Sequence, residues 1–224
     1  MRRSLLVLTA AAAALLPLSV ISAASAAPAA AHDVLTTGKV GGANVKVKDV
    51  LQASLASKQK VVIVDGSTTL TCKTSTFTVK VTKNPKAKGT ATESLTGQTF
   101  GKCTASGPFA ANITKITASL TKLPYTTTVN DKKGLVTVSK ISSKVVVVTN
   151  VVGTLTCLYS AKAITGTASN KHQTISFSKQ ELKLASGSSS FCSTLSSTVK
   201  ISATYGPVVD TSVKGKTKPH VFVN

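Results

Sequence analysis

The chain has 224 residues, and its 27 Lys+Arg residues outnumber 7 Asp+Glu residues, which gives a formal net charge of +20. A hydrophobic fraction of 42% is enough to build a core and excludes a disordered chain. Aromatic residues make up only 4% and Trp is absent, so the chain lacks the exposed rings on which many carbohydrate and RNA sites depend.

The N-terminal residues have the three-part layout of a secretion signal. Arg2 and Arg3 precede an apolar run, and small residues then lead to an Ala-x-Ala exit at Ala24-Ser25-Ala26. We therefore predict that residues 1–26 are a cleaved signal peptide and that residues 27–224 are secreted, extracellular or associated with the cell wall.

Two alternatives concern this segment. Cleavage after Ala31 is a second choice, and an uncleaved membrane anchor is disfavoured by Pro17 and by the shortness of the apolar run. The pair Arg2-Arg3 also resembles a twin-arginine signal, so general export and twin-arginine export both stay open. No later segment is apolar enough to span a membrane.

The charge of the secreted part comes from lysine alone. Arg2 and Arg3 are the only arginines, and removing them leaves 25 lysines against 7 acidic residues, a formal charge of +18. Lysine is a point charge and lacks the planar fork with which arginine reads guanine edges. The composition therefore predicts diffuse attraction to polyanions such as wall polymers, and no sequence-specific nucleic-acid binding.

The elements read in chain order are mostly strands. Residues 47–56 have helical spacing and predict one short helix, whereas Val61–Val64 followed by Asp65-Gly66 predicts a β-hairpin. Alternation in Phe77–Thr82 and in Val199–Tyr205 predicts antiparallel strands with one buried face. Many short strands with regular turns suggest a sandwich or a barrel. We predict an all-β fold of antiparallel, immunoglobulin-like β-sandwich type.

An internal repeat is indicated by two similar segments. An apolar strand, a turn and the tetrapeptide Thr-Leu-Thr-Cys occur at Val61–Cys72 and again at Val145–Cys157. Such similarity points to a reused structural unit. We therefore predict two pseudo-repeats, about 40–134 and 135–224, either as tandem units or as one pseudo-symmetric fold.

Four cysteines form the only site that we assign from the sequence. An even number of cysteines in an exported chain predicts two disulfides, and three pairings are open. The repeat favours one bridge within each half, Cys72–Cys103 and Cys157–Cys192. Metal binding by these cysteines is not expected, because no two lie in a Cys-x-x-Cys pair.

The acidic residues give little sign of catalysis. Asp65 and Asp131 are expected to form turns. Glu93 and Glu181 could supply the paired carboxylates of a glycosidase, one from each half, but both are expected on outer strand faces.

The histidines and the short sequence motifs also give little sign of catalysis or metal binding. His32 and His220 lie near the ends of the secreted part, and His172 lies in an expected loop, so a three-histidine metal site is not predicted. No esterase, phosphate-loop, zinc-protease or calcium-loop motif is present. We predict no catalytic residues, no cofactor and no metal.

The whole mature chain resembles uncharacterised secreted proteins of actinobacteria that carry a twin-arginine-type signal. The resemblance is carried by the signal, by Gly89–Thr96, by Leu123-Pro124-Tyr125 and by the ending Val221–Asn224. It implies export and brings no known activity.

The sequence favours the first of three functions and leaves the other two as alternatives. The first is a non-enzymatic interaction module for an anionic polymer of the envelope or matrix. The second is a small-molecule carrier or inhibitor with a pocket of several hundred Å³ between sheets. The third is a hydrolase that uses Glu93 with Glu181, or His172 with a nearby serine and acid. The ligand and the oligomeric state are not predicted.

Overall fold

The computed structural model describes residues 32–224, so the predicted signal peptide and its cleavage sites lie outside the described residues. The described residues belong to one compact unit. Sixteen strands lie within them: β1 (Leu35–Thr37), β2 (Ala43–Asn44), β3 (Val50–Ser54), β4 (Val61–Asp65), β5 (Thr68–Lys83), β6 (Thr90–Ser106), β7 (Ile113–Leu120), β8 (Tyr125–Asn130), β9 (Leu135–Ser139), β10 (Ser142–Thr149), β11 (Gly153–Ser160), β12 (Ala163–Ser169), β13 (Thr174–Leu184), β14 (Thr198–Tyr205), β15 (Val209–Asp210) and β16 (Val221–Val223). A 3-10 turn (Ala110–Asn112) and a one-turn helix α1 (Cys192–Leu195) complete the described elements.

The strands form where hydrophobic and polar residues alternate. In β5, Phe77, Val79 and Val81 are buried while Lys80 is exposed, as the sequence predicts. A similar alternation runs along β14, where Val199, Ala203 and Tyr205 are buried and Lys200 is exposed. Branched and aromatic side chains suit such half-buried pleated positions, which accounts for the predominance of β structure.

Eight strands close into a barrel in the order β12-β9-β8-β6-β5-β4-β14-β13, with β12 pairing again with β13. Every pairing is antiparallel. The sheet also continues from β13 through β11 and β10 to β7, and β7 contacts β6. The predicted all-β antiparallel class is confirmed, but the main sheet closes on itself where the sequence suggested separate sandwich layers.

The length of β5 and β6 explains this closure. These strands contain 16 and 17 residues, and their ladder is interrupted by bulges at Thr78/Val79 and Val81/Lys83. Bulges increase the local twist and bend of a sheet. One half of β6 therefore pairs with β8 and completes the barrel, while the other half extends towards β7.

The predicted helix at residues 47–56 is wrong. Residues Val50–Ser54 form β3, which pairs with β5 on one side and with β15 on the other. Leu51 and Ala53 are buried, and their neighbours are less so. Pairing with β5 outweighs the weak local helical preference of this segment.

The two predicted disulfides are confirmed. Cys72 and Cys103 face each other across the β5–β6 ladder, and Cys157 on β11 is joined to Cys192 in α1. The bridged cysteines are separated by 31 and 35 residues, and each bridge contributes about 3–4 kcal/mol in the chain-entropy description. No free cysteine occurs in residues 32–224.

The repeated tetrapeptide occupies two similar hairpins. Val61 lies opposite Cys72 in the β4–β5 hairpin, and Val145 lies opposite Cys157 in the β10–β11 hairpin. The second cysteines differ, since one lies on a strand and the other in a helix. The predicted boundary near residue 134 falls in the turn between the paired strands β8 and β9. A duplication stays a prediction.

Candidate functional site

A cavity of about 290 Å³ lies between the two hairpins that carry the repeated tetrapeptide. The β4–β5 hairpin and β14 supply one wall, and the β10–β11 hairpin supplies the other. Twelve of its 17 lining residues are apolar. The space is therefore suited to a hydrocarbon surface.

Strand alternation builds the wall of this cavity. Val145 and Val147 on β10 and Leu155 on β11 are buried and line it, whereas Val146 between the two valines points to the other face. Cys157 also lines the cavity, and its disulfide to Cys192 ties β11 to α1. The wall is thus held by main-chain ladders and by one covalent bridge.

Exposed apolar side chains form the rim. Phe109, Val151 and Val152 line the cavity and are 43%, 72% and 45% exposed. The ring of Phe109 packs edge-to-face on that of Phe191, with centroids 5.7 Å apart. Large apolar groups left in water around one opening are typical of an interaction site.

One buried polar pair interrupts the apolar wall. The Tyr159 hydroxyl donates to Oδ2 of Asp65 over 3.1 Å, and both side chains line the cavity. Oδ1 of Asp65 is buried and has no hydrogen-bond partner among the described residues. Burial raises the pKa of Asp65, and the bond from Tyr159 partly offsets this. Burial first, and then the charge of Asp65, raise the pKa of Tyr159 above its ordinary value.

This placement of Asp65 differs from the sequence prediction. Asp65 was expected in a turn, but it is the last residue of β4 and is 7% exposed. The turn itself is formed by the next residues, where Gly66 has a φ of 56°. Asp131 does serve in a loop, since its Oδ2 accepts hydrogen bonds from the backbone of Lys88 and Gly89.

A second, smaller cavity of about 110 Å³ lies inside the barrel and is lined by Glu93. Glu93 is 6% exposed and has neither an ion pair nor a hydrogen bond from its carboxyl group within the described residues. Burial raises the pKa of Glu93 to about 7. Its ladder neighbour Thr127 also lines this cavity, and the Thr127 hydroxyl has no partner in the described part of the chain.

The expectation that Glu93 lies on an outer face is therefore wrong. Ala91, Glu93 and Leu95 are all buried along β6, and this phase is visible in the sequence. Glu181 does lie outside, where it pairs with Lys200 at 3.6 Å. The two carboxyl groups point to opposite faces of the sheet and share no site.

The histidines are not brought together into a site. His172 is exposed in the turn before β13, and His220 forms an isolated bridge with Val209. The carbonyl of His32 accepts a hydrogen bond from Ala87. Across residues 32–224, no group of three histidine, cysteine or acidic side chains is placed to hold a metal ion.

The exposed lysines are a second candidate feature for binding. Only Lys86 and Lys200 have a carboxylate partner within the described part of the chain, which leaves 23 of 25 lysines unpaired. Eight described residues other than glycine have positive φ, and seven of these are lysines: Lys48, Lys58, Lys88, Lys102, Lys122, Lys140 and Lys179. Three of the seven acidic residues, Asp65, Glu93 and Asp210, are buried, which lowers the negative charge at the surface.

Within the described residues, no helix combines the length and apolar character needed to cross a membrane. Comparison with protein-family models, with curated proteins and with solved structures finds no match to this chain.

Proposed function

We propose that this protein is a secreted, non-enzymatic binding protein that holds a small apolar molecule in the cavity between the β4–β5 and β10–β11 hairpins. The observation that supports the proposal is a cavity of about 290 Å³ with an apolar wall and exposed apolar rim residues. The two disulfides are typical of proteins in an oxidising compartment, which agrees with secretion.

The size of the cavity sets the scale of the ligand. A protein cavity of about 150 Å³ lined by aliphatic and aromatic side chains takes up one benzene molecule. The present cavity is about twice that size, which corresponds to two fused rings or a chain of similar volume. Transfer of such a surface out of water is favourable by about 25 cal/mol per Å².

A substitution within β10 tests this proposal. In Val147→Phe a larger side chain occupies the cavity, whereas Val146→Phe adds the same group on the opposite face of the same strand. We expect 2-methoxynaphthalene, a neutral probe of the required size, to bind the native protein and the Val146→Phe variant. Binding to the Val147→Phe variant should fall at least about tenfold, because the occupied volume is no longer available.

Calorimetry or probe fluorescence measures this binding, and circular dichroism checks that both variants are folded. The absence of Trp leaves the naphthalene emission free of protein background. Equal loss in both variants, or no binding to the native protein, would contradict the proposal.

A second function is supported by the excess of lysines. Interaction with an anionic wall or matrix polymer agrees with 23 unpaired lysines and with the burial of three of the seven acids. The seven lysines at positive φ strengthen this argument. A non-glycine residue in that conformation costs on the order of 1 kcal/mol, and asparagine or glycine adopts it more readily. Lysine at these positions is best explained by its charge.

Sedimentation with the cell walls of the producing organism tests the second function. We expect the mature protein to be retained at about 50 mM salt and released at about 500 mM salt, because screening weakens contacts between exposed charges. The Val147→Phe variant should be retained as well as the native protein, since its charge is unchanged. Protein that stays in solution at low salt would contradict polyanion binding and leave the cavity proposal standing.

The hydrolase alternative receives no support from the geometry. Glu93 lies inside the barrel, Glu181 lies outside it, and His172 is exposed in a turn. The paired carboxylates that glycoside hydrolysis needs are therefore not assembled.

A further inference from the structure

We propose that the ligand of the 290 Å³ cavity is a neutral apolar molecule with one hydroxyl group, a phenol or an alcohol, and that Asp65 accepts the hydrogen bond of this hydroxyl. The inference rests on the proposed function, because it names the ligand class of the same cavity. It goes beyond that function by assigning a specificity-determining residue.

The buried wall of the cavity contains one hydrogen-bonded polar pair. Asp65 and Tyr159 are 7% and 3% exposed, and both line the cavity. Tyr159 satisfies Oδ2 of Asp65, but Oδ1 has no donor among residues 32–224. Buried acceptors are rarely left without a donor in folded proteins. A hydroxyl group on the ligand supplies the donor that the protein does not.

The charges around the cavity limit which ligand group can donate a hydrogen bond to Asp65. No lysine lines the cavity, so a ligand carboxylate would meet Asp65 without a counter-ion. A ligand ammonium group would find Asp65 favourable, but it must approach a surface with a formal charge of +18 and lose its hydration on entry. A neutral hydroxyl avoids both penalties, and it needs only the one acceptor that Asp65 offers.

The positions of the lining residues determine how the ligand lies in the cavity. The hydroxyl end lies at Asp65 and Tyr159 in the buried wall, and the hydrocarbon part packs on Val147 and Leu155. The far end reaches the exposed rim at Phe109. The site thus combines a large apolar surface with a few polar groups, of which Asp65 carries the unpartnered acceptor. This is the usual composition of a small-molecule site.

Three probes with the same ring system test the inference on the native protein. They are 2-naphthol, which has the hydroxyl donor, 2-methoxynaphthalene, which lacks it, and 2-naphthoate, which carries a negative charge. We expect 2-naphthol to bind about fivefold more tightly than 2-methoxynaphthalene, the usual effect of one additional hydrogen bond. Binding of 2-naphthoate should be the weakest of the three.

The variant Asp65→Asn replaces the acidic group by an amide of nearly the same shape. We expect the preference for 2-naphthol over 2-methoxynaphthalene to fall to about twofold or less and binding of 2-naphthoate to improve relative to the other probes. The matched control is Glu93→Gln, which alters another buried carboxyl group that does not line this cavity, and it should keep the native order of affinities. Circular dichroism verifies folding, and the native protein alone decides the question if Asp65→Asn does not fold.

The outcomes separate the two proposals. Binding of all three naphthalenes with similar affinity, or an unchanged preference in a folded Asp65→Asn variant, would overturn the assignment of Asp65 and leave the cavity as a binding site. Failure of every probe to bind, or binding that Val147→Phe does not reduce, would overturn the proposed function itself.

Discussion

Glu93 offers the sharpest test of the interior described here. Its carboxyl group lies inside the barrel, and burial raises its pKa from 4.5 to about 7. Below pH 4.5 the group is protonated in both the folded and the unfolded chain and does not affect stability. Between pH 4.5 and about 7 the unfolded chain loses its proton first, so the free energy of unfolding falls as pH rises. Above pH 7 the loss is complete.

The magnitude follows from the same two values. One pKa unit corresponds to 1.36 kcal/mol, so ionisation of Glu93 removes up to about 3 kcal/mol of stability at pH 8 relative to pH 4. This is a large part of the 5–15 kcal/mol that is typical of folded domains. Glu93→Gln has no proton to lose, and it should therefore be free of this pH dependence.

The assay is denaturant unfolding of native protein and Glu93→Gln between pH 4 and pH 8.5, followed by circular dichroism because Trp is absent. Ionic strength is held constant, since a chain of this net charge responds to salt. The quantity of interest is the stability difference between the two proteins at each pH. Asp65 and Asp210, whose pKa values are also raised by burial, contribute equally to both proteins and cancel.

We expect this difference to move in favour of Glu93→Gln by up to about 3 kcal/mol as pH rises from 4 to 8. The amide adds an offset that does not depend on pH, because its donors need partners in the barrel. Glu181→Gln is the control: it removes an exposed ion pair with Lys200, and its difference from native protein should change by less than about 1 kcal/mol. Parallel stability curves for native protein and Glu93→Gln would refute the buried placement of Glu93.

Three further substitutions test other parts of the fold. Lys58→Gly should stabilise the protein by about 0.5–1 kcal/mol in thermal or denaturant unfolding, because Lys58 is exposed at a φ of 62°. The control Lys60→Gly should not stabilise it, because Lys60 is also exposed but does not have a positive φ. Asn224→Ala should cost about 1–3 kcal/mol of unfolding free energy, because the Asn224 amide accepts from Gly41 and donates to the carbonyl of Asp33; an unchanged transition would contradict these bonds. Joint replacement of Cys157 and Cys192 by Ser should lower the free energy of unfolding by about 3–4 kcal/mol. It should also weaken probe binding, because this bridge ties the cavity strand β11 to α1. Native-like stability together with native-like probe affinity would contradict that role.

Local patterns in the sequence predicted what depends on near neighbours. Alternation identified β5 and β14 with the correct buried faces, Asp65-Gly66 marked the β4–β5 hairpin, and the matched halves indicated which cysteines pair. Each of these properties follows from a side-chain period of two, from turn chemistry or from the spacing of like segments.

The helix predicted at residues 47–56 shows where local patterns fail. Its apolar residues fit helical spacing, but β5 offers a free edge with which Val50–Ser54 pairs. Similarly, an acidic residue on a strand is by default placed outside, whereas Glu93 shares the inward phase of Ala91 and Leu95. The alternation of side chains along β6 places Glu93 on the same face as Ala91 and Leu95, and applying it would have identified Glu93 as an interior residue.

The lysine-rich composition, the strand content and the cysteine pairing can thus be read from the sequence, because each depends on consecutive residues or on their spacing, and the secretion signal stays a prediction of the same kind. Closure of the barrel, the cavity between the hairpins and the contact of Asp65 with Tyr159 belong to the tertiary structure alone. They join residues far apart in the chain, and the twist and bulges of long strands decide which edges meet.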